Sequence, residues 1–187
     1  MLSLYYTVSS AYNAAQTKSV NSLGRYKSST VVPNDTFDNV FGELSLSTLA
    51  RAKNEYIALV LKNEGETPIQ NVEMWFTTGL KPYCNFLIGA TAMSRDEEGN
   101  FIMESTPNIY SKPFQTQVYP ATEEEKAAIG TMEPGQEIGL WICRQINSEI
   151  VEADYNCVAE RDIKTENRYK RVEKEKEESV ELNISWD

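Results

Sequence analysis

The chain has 187 residues, of which 41% are hydrophobic, and its formal net charge is −10 at pH 7. This length suits one domain with a sizeable core, and the acidic surplus disfavours a surface that binds nucleic-acid phosphates. The chain has no histidine, which excludes catalytic sites built around that side chain, and no apolar run of about 18 residues that would predict a membrane-spanning helix.

The N-terminal segment is predicted to be an arm at residues 1–22, ahead of a β-sandwich domain at residues 23–187. Residues 1–8 lack the basic side chains and the long apolar stretch of a secretory signal, and they suit either a first strand or an ordered arm. Residues 9–22 are small and polar, so they are expected to order only against another surface. Deleting residues 1–21 is therefore expected to leave a folded sandwich that does not assemble.

The next segment is predicted to be extended and then to turn into a short helix. Residues 23–33 form an extended stretch that Pro33 ends. Asn34, Asp35 and Thr36 then offer an N-cap. Four apolar side chains follow at helical spacing and predict one or two helical turns that plug an end of the core: Phe37, Val40, Phe41 and Leu44.

Strand signals begin in the middle of the chain. Residues 56–62 are apolar on both faces, which is typical of a central strand. Residues 72–77 alternate, with three apolar side chains on one face: Val72, Met74 and Phe76. Residues 84–92 are predicted to be a further strand. A turn at residues 96–100 then predicts a hairpin whose second half is residues 101–103.

One surface helix is predicted at residues 120–129. Thr122 and Glu125 fit a Thr-x-x-Glu capping box, acidic residues occupy the first turn, and Gly130 offers a C-terminal stop. The three consecutive glutamates suggest either a cation site or a complement to the helix dipole, and we favour the second interpretation.

The last third of the chain has the strongest β signal. A Pro134-Gly135 turn leads into residues 136–146, which are apolar on both faces. Residues 160–178 are so densely charged that a solvated helix, a hairpin or a disordered insertion is predicted there. Residues 179–186 alternate and predict a final strand whose apolar face packs on the core: Val180, Leu182, Ile184 and Trp186.

Together these elements predict an all-β fold of Ig-like or jelly-roll type, a β-sandwich with one or two short helices and the N-terminal arm. The sandwich domain is predicted to contain a charged insertion at about residues 160–178. An open barrel is the alternative fold, because the alternation of apolar and polar residues is the same in a barrel and in a sandwich.

No cofactor and no metal are predicted. Cys84, Cys143 and Cys157 lack paired metal-site spacing, and we interpret them as reduced thiols, Cys84 and Cys143 being small core hydrophobes. The sequence also lacks a phosphate-binding loop and a nucleophile elbow. The protein is therefore predicted not to be an enzyme, with a hydrolase that uses two carboxylates as the catalytic alternative.

Aromatic residues outside the strong strand segments are candidates for contacts with other molecules. The candidate interface residues are Tyr5, Tyr6, Tyr12, Leu23 and Tyr26. A carbohydrate-binding sandwich module is the alternative from a different functional class. It would stack sugars on Trp75 or on tyrosines in loops.

Spaced blocks between residues 23 and 146, with the closing strand, resemble a family of structural proteins of tailed bacteriophages. The blocks are Leu23-Gly24-Arg25-Tyr26, Phe37-Asp38-Asn39-Val40-Phe41, residues 55–63, residues 71–76 and residues 132–144. The family pattern favours a second glycine where this chain has Arg25. The charged segment is a further departure from the pattern.

The resemblance implies an Ig-like β-sandwich that serves as a non-enzymatic structural subunit of a bacteriophage virion, at the neck, the tail or the capsid surface. The implied partners are other virion proteins, such as head-to-tail connector, tail or capsid subunits, and further copies in a homo-oligomer. Neither nucleic acid nor a membrane is expected as a partner. Assembly is expected to use the arm and the rim of the sandwich.

Overall fold

The computed structural model describes residues 1–34, 39–41, 53–77, 84–147 and 180–187, and these residues are all-β. In chain order the strands are β1 (Leu2–Val8), β2 (Gly24–Val31), β3 (Glu55–Asn63), β4 (Ile69–Thr77), β5 (Cys84–Ala92), β6 (Ser94–Arg95), β7 (Phe101–Ser105), β8 (Tyr119–Pro120), β9 (Ala127–Met132), β10 (Glu137–Ile146) and β11 (Glu181–Ser185). One turn of 3-10 helix lies at Ser19–Asn21. In these parts of the chain no helix has the length and apolar character to cross a membrane.

The strands form two sheets, which confirms the predicted fold class. The larger sheet has the order β6-β7-β2-β1-β3-β10-β5-β8, and the smaller has the order β11-β4-β9. Every pair of neighbouring strands is antiparallel. The larger sheet is curled, and the arrangement is consistent with a β-sandwich.

The main core lies between the two sheets. The larger sheet contributes buried side chains at alternate positions of β3 and β10: Ile57, Leu59, Leu61, Ile138, Leu140 and Ile142. Val72, Met74 and Phe76 of β4 pack against them, on the face that the sequence alternation predicted.

The opposite face of the larger sheet carries a second core. Its buried members are Tyr56, Ala58, Val60, Met103, Trp141 and Cys143. Trp141 is fully buried there, and Val118 packs against this cluster from the segment that follows β7. Because each face of the larger sheet has its own core, β3 and β10 need apolar side chains on both faces, as predicted.

The N-terminal segment is part of the sandwich. β1 pairs with β2 on one side and with β3 on the other, so Leu2–Val8 is an interior strand. The structure therefore corrects the prediction of an arm at residues 1–22. Leu2–Val8 is a first strand, which was the other interpretation of residues 1–8. The following residues lie along the chain's own sheet, because the Asn13 N–H donates to the Lys27 carbonyl at 2.8 Å.

The helix predicted at residues 120–129 is wrong. Residues 122–125 form a turn in which the Thr122 N–H donates to the Glu125 carbonyl, and β9 follows directly. The Glu125 N–H donates to Thr122 Oγ1 at 3.1 Å, so the bond of a capping box forms without a helix. Ala127 and Ile129, two residues apart, pack on the main core, which is the periodicity of a strand.

Part of the predicted plug is described by the structure. Phe41 is buried, with its ring centroid 6.1 Å from that of Phe86, and Val40 also packs against the main core. The helix predicted around these residues lies largely outside the described residues. The charged segment at residues 160–178 lies wholly outside them. β11 confirms the final strand, although Trp186 follows its end and is half exposed.

Arg25 has a backbone conformation that favours glycine. Gly24 has a φ of 92° and Arg25 a φ of 78°, at a register shift in the pairing of β2 with β7. A side chain at such a φ is strained by about 1–2 kcal/mol. Arg25 therefore occupies a position at which glycine suits the backbone.

Replacing this residue, Arg25→Gly, is expected to raise the free energy of unfolding by about 0.5–1 kcal/mol, because relief of strain exceeds the added entropy of the unfolded chain. Urea unfolding followed by tryptophan fluorescence measures the change. Asn71→Gly is the matched control: Asn71 also has a positive φ, 51°, but asparagine tolerates it, so little change is expected. A loss of about 1 kcal/mol in Arg25→Gly, as for an ordinary strand position, would contradict the assignment of strain.

Candidate interaction surface

The structure divides the five predicted interface residues into two groups. Tyr6 and Tyr26 are buried, and the Tyr6 hydroxyl donates to the Asn39 carbonyl. A contact with another protein needs exposed surface, so these two rings are not available for one in this fold. Tyr5, Tyr12 and Leu23 are half-buried. Leu23 has a structural role as well, since its carbonyl accepts the Thr106 N–H at 2.9 Å.

Tyr5 and Tyr12 come together around a buried lysine. The Lys27 ammonium lies 4.3 Å from the centroid of the Tyr5 ring and 5.2 Å from that of the Tyr12 ring. It donates to Asn13 Oδ1 at 2.6 Å. The two tyrosines therefore enclose a positive charge that belongs to their own chain.

Carboxylates fix the two phenols. The Tyr5 hydroxyl donates to Glu64 at 2.7 Å, and the Tyr12 hydroxyl donates to Glu137 at 2.8 Å. Burial and the neighbouring Glu64 raise the pKa of Tyr5 to about 12, burial and Glu137 raise the pKa of Tyr12, and burial lowers the pKa of Lys27. The phenols stay protonated at neutral pH, so this cluster holds the segment after β1 on the sheet.

In the part of the chain that the structure describes, the most exposed aromatic side chain is one that was not predicted as an interface residue. Phe114 is 98% exposed, and it lies in residues 106–118, which we name the aromatic loop. Tyr110 in the same loop is 42% exposed. No strand or helix periodicity marks this segment, and the signal that was available is an aromatic residue with only polar side chains and Pro113 around it.

Glu104 fixes the backbone on which Phe114 sits. Its carboxylate accepts the N–H groups of Phe114, Gln115 and Thr116 at 2.8, 2.9 and 2.7 Å. It also accepts the Thr116 hydroxyl at 2.6 Å. Hydrogen bonds to a carboxylate are among the stronger ones in proteins, so the exposed ring is presented from a fixed backbone.

The two ends of the aromatic loop are held against the sheet. The Tyr56 N–H donates to the Ile109 carbonyl at 2.6 Å, and Ile109 packs on the main core. At the other end the Gln117 carbonyl lies against Gly89 of β5, where an added Cβ would be 2.2 Å from that oxygen. Only glycine permits this approach. The loop is therefore pre-organised for a contact, which lowers the ordering cost of binding.

A basic pocket lies beside the aromatic loop. It has a volume of about 430 Å³ and is lined by Lys53, Asn54, Tyr56, Tyr110 and Lys112. The Lys53 ammonium lies 5.4 Å from the centroid of the Tyr110 ring. Both lysines are exposed, and Lys112 is two residues from Phe114. Two cations on a chain of net charge −10 make this pocket a local exception to the acidic surface.

The hold of Glu104 on the aromatic loop is expected to depend on pH. Burial raises the pKa of the Glu104 carboxyl, but the hydrogen bonds from Gln115, Thr116 and Phe114 outweigh burial and hold the pKa below its ordinary value of 4.5. The carboxylate therefore contributes its full stabilisation above that value and loses it as the pH falls through the lower pKa of the folded state.

Hydrogen exchange of the amides at residues 114–116 is expected to lose protection by about tenfold or more, relative to other amides, below this pKa. Mass spectrometry of exchanged peptides across acidic pH measures it. The control is Glu104→Gln, which does not titrate, so its weaker protection should not change with pH. Protection of these amides in the wild type that is unchanged by acid would contradict the role given to Glu104.

The cysteines and Trp75 have structural roles. Cys84 and Cys143 are buried, as predicted for core hydrophobes, and burial raises the pKa of Cys143 to about 11. Cys157 lies outside the described residues. Trp75 is half-buried, and the Lys126 ammonium lies 4.4 Å from its ring centroid. One face of the indole, predicted as a stacking platform for sugars, is thus in contact with a lysine.

The candidate interaction surface therefore consists of the aromatic loop, with Phe114 exposed on it, and the adjacent basic pocket. Its chemistry suits binding through apolar contact and positive charge. Within the described ranges no three His, Cys, Asp or Glu side chains come close enough together to hold a metal ion. Compared with known proteins, the chain matches no family model, no curated protein and no solved structure.

Proposed function

We propose that this protein is a non-enzymatic structural subunit of a bacteriophage virion, and that it assembles by docking Phe114 into another protein of the particle. The proposal rests on one observation: Phe114 is exposed on a backbone that hydrogen bonds to Glu104 hold in place. An aromatic ring at 98% exposure gains about 1.5–3 kcal/mol when a partner buries it. Because the aromatic loop is already ordered in the free chain, little of this free energy is lost to ordering the loop on binding.

The assignment to a virion rests on the sequence resemblance, and one structural feature supports it. The Leu-Gly-Gly type turn of the bacteriophage family has two glycines in succession, and in this chain both Gly24 and Arg25 have positive φ. The assembly surface is placed on the aromatic loop instead of an N-terminal arm, because Leu2–Val8 is an interior strand of the larger sheet.

The variant Phe114→Ala tests the docking role. Its free energy of unfolding is expected to stay within about 0.5 kcal/mol of the wild type, because the ring packs against little in the isolated chain. Its incorporation into particles is expected to fall about tenfold to a hundredfold, which corresponds to the lost burial. Quantitative mass spectrometry of purified particles measures the copy number.

The matched control is Trp186→Ala, which removes a half-exposed aromatic ring next to the smaller sheet and is expected to incorporate normally. Two results would contradict the proposal. The first is purified particles that lack this chain, and the second is normal incorporation of Phe114→Ala.

A carbohydrate-binding module is the second candidate, and the pocket is the observation that favours it. Tyr110 lies at an open pocket with the amide of Asn54, and sugars are bound by aromatic stacking together with polar side chains. Under this function Tyr110→Ala abolishes binding on a glycan array while Phe114→Ala retains it. Under the virion function neither variant changes glycan binding.

A further inference from the structure

The basic pocket contains charges that the described part of its own chain does not pair. Among the described residues, the Lys53 and Lys112 ammonium groups have no ion-pair partner, and none of those that line the pocket is acidic. Tyr56 and Tyr110 supply aromatic walls. Cations beside aromatic rings in a concave site suit a carboxylate that enters from outside.

The same chain carries a complementary group elsewhere on its surface. Glu123, Glu124 and Glu125 form what we name the acidic turn, between β8 and β9, and all three are exposed. Two hydrogen bonds between Thr122 and Glu125 close the turn, so its tip has a fixed shape. None of the three carboxylates forms an ion pair within the described residues, since the adjacent Lys126 pairs with Glu73.

We propose that copies of this chain associate head to tail, with the acidic turn of one copy entering the basic pocket of the next. This inference rests on the proposed function and specifies the contact between copies of the chain. Charge complementarity selects the second copy as the occupant, because the pocket and the turn are opposite in charge and neither forms an ion pair with the described residues of its own chain.

Two different surfaces of one chain meet in this contact, so the association is heterologous and continues from copy to copy until it closes as a ring or extends as a filament. Phe114 follows Lys112 by two residues and so lies at the rim of the same contact. Association of the isolated chain is expected to be weak, because the remaining surface is acidic and copies repel one another. A symmetric particle strengthens such a contact by holding many copies together.

Sedimentation velocity of the purified full chain at increasing concentration tests the inference. The wild type is expected to grow beyond two copies. A pocket variant, Lys53→Ala with Lys112→Ala, and a turn variant, Glu123→Gln with Glu124→Gln and Glu125→Gln, are each expected to associate at least tenfold more weakly. All five side chains are exposed, so the unfolding transitions of both variants should match that of the wild type.

A mixture of the two variants gives the decisive result. The pocket variant keeps its acidic turn and the turn variant keeps its basic pocket, so one contact forms and the mixture should stop at two copies. Three results would overturn the inference: a wild type that is monomeric at every concentration, variants that associate like the wild type, or a mixture that stays monomeric.

These results separate this inference from the proposed function. If the chain is monomeric but is still incorporated into particles through Phe114, only the head-to-tail contact fails. If the chain forms head-to-tail assemblies but is missing from particles, the virion function fails and the contact stands. A monomeric chain whose Tyr110→Ala variant loses binding to a glycan array would assign the pocket to sugars.

Discussion

Removing residues 1–21 is expected to unfold the protein. The deletion removes β1 from between β2 and β3 and takes four side chains out of the sandwich: Leu2, Leu4, Tyr6 and Val8. At about 1.5–3 kcal/mol for each fully buried side chain, the loss is on the order of 5–10 kcal/mol. That is comparable with the whole stability of a typical domain, about 5–15 kcal/mol. β2 and β3 would also lose the backbone hydrogen bonds that each of them forms with β1.

Thermal unfolding followed by circular dichroism measures this effect, and the truncated chain should have no cooperative transition. Tyr12→Phe is the control within the same segment, because it keeps β1 and removes only the hydrogen bond to Glu137, at a cost of about 1–3 kcal/mol. The sequence alone predicted the opposite, a folded sandwich without residues 1–21. A cooperative transition near that of the full chain would favour that first prediction and contradict the interior position of β1.

The strands that the sequence predicted best are those with a core on each side. β3 and β10 are neighbours in the larger sheet, and side chains cover both of their faces. A strand that is buried on both faces has an unbroken apolar sequence, which is the pattern that predicted them. β4 was predicted as well, because one buried face leaves a clear alternation in the sequence. The unbroken apolar runs of β3 and β10 are shorter than a buried helix would need, and the alternation in β4 has the period of a strand.

The helix at residues 120–129 was predicted from signals that are too local. A Thr-x-x-Glu pattern stabilises the bond between Thr122 and Glu125 whether the backbone continues as a helix or turns into a strand. The evidence for the strand was the spacing of Ala127 and Ile129, which spans only two side chains. Tertiary packing on the main core, and not capping, decides the structure here.

The candidate interaction surface was largely beyond prediction from the sequence. Tyr5 and Tyr12 were predicted as separate interface aromatics, and the structure brings them together around the ammonium of Lys27, fifteen residues or more along the chain. The exposure of Phe114 depends on Glu104, ten residues away, and no periodic pattern links the two. Contacts between irregular segments depend on how the chain folds back, which spacing does not specify.

Breaking the ion pair between Glu55 and Arg144 is expected to destabilise the fold strongly. The two residues face each other at the ends of β3 and β10, both are buried, and Arg144 Nε donates to Glu55 Oε2 at 2.8 Å. The guanidinium also lies 4.9 Å from the centroid of the Phe41 ring. Glu55→Ala is expected to lower the free energy of unfolding by about 3–5 kcal/mol, because it leaves a buried positive charge without its carboxylate.

Urea unfolding of Glu55→Leu, Arg144→Met and the double variant measures the coupling between the two side chains. The double variant should be more stable than either single variant, since no unpaired charge is left in it. Lys126→Ala, which breaks the exposed pair with Glu73, is the matched control and should cost less than about 1 kcal/mol. If the two single losses simply add in the double variant, the pair has no coupling, and Glu55 and Arg144 stabilise this end of the sheet independently.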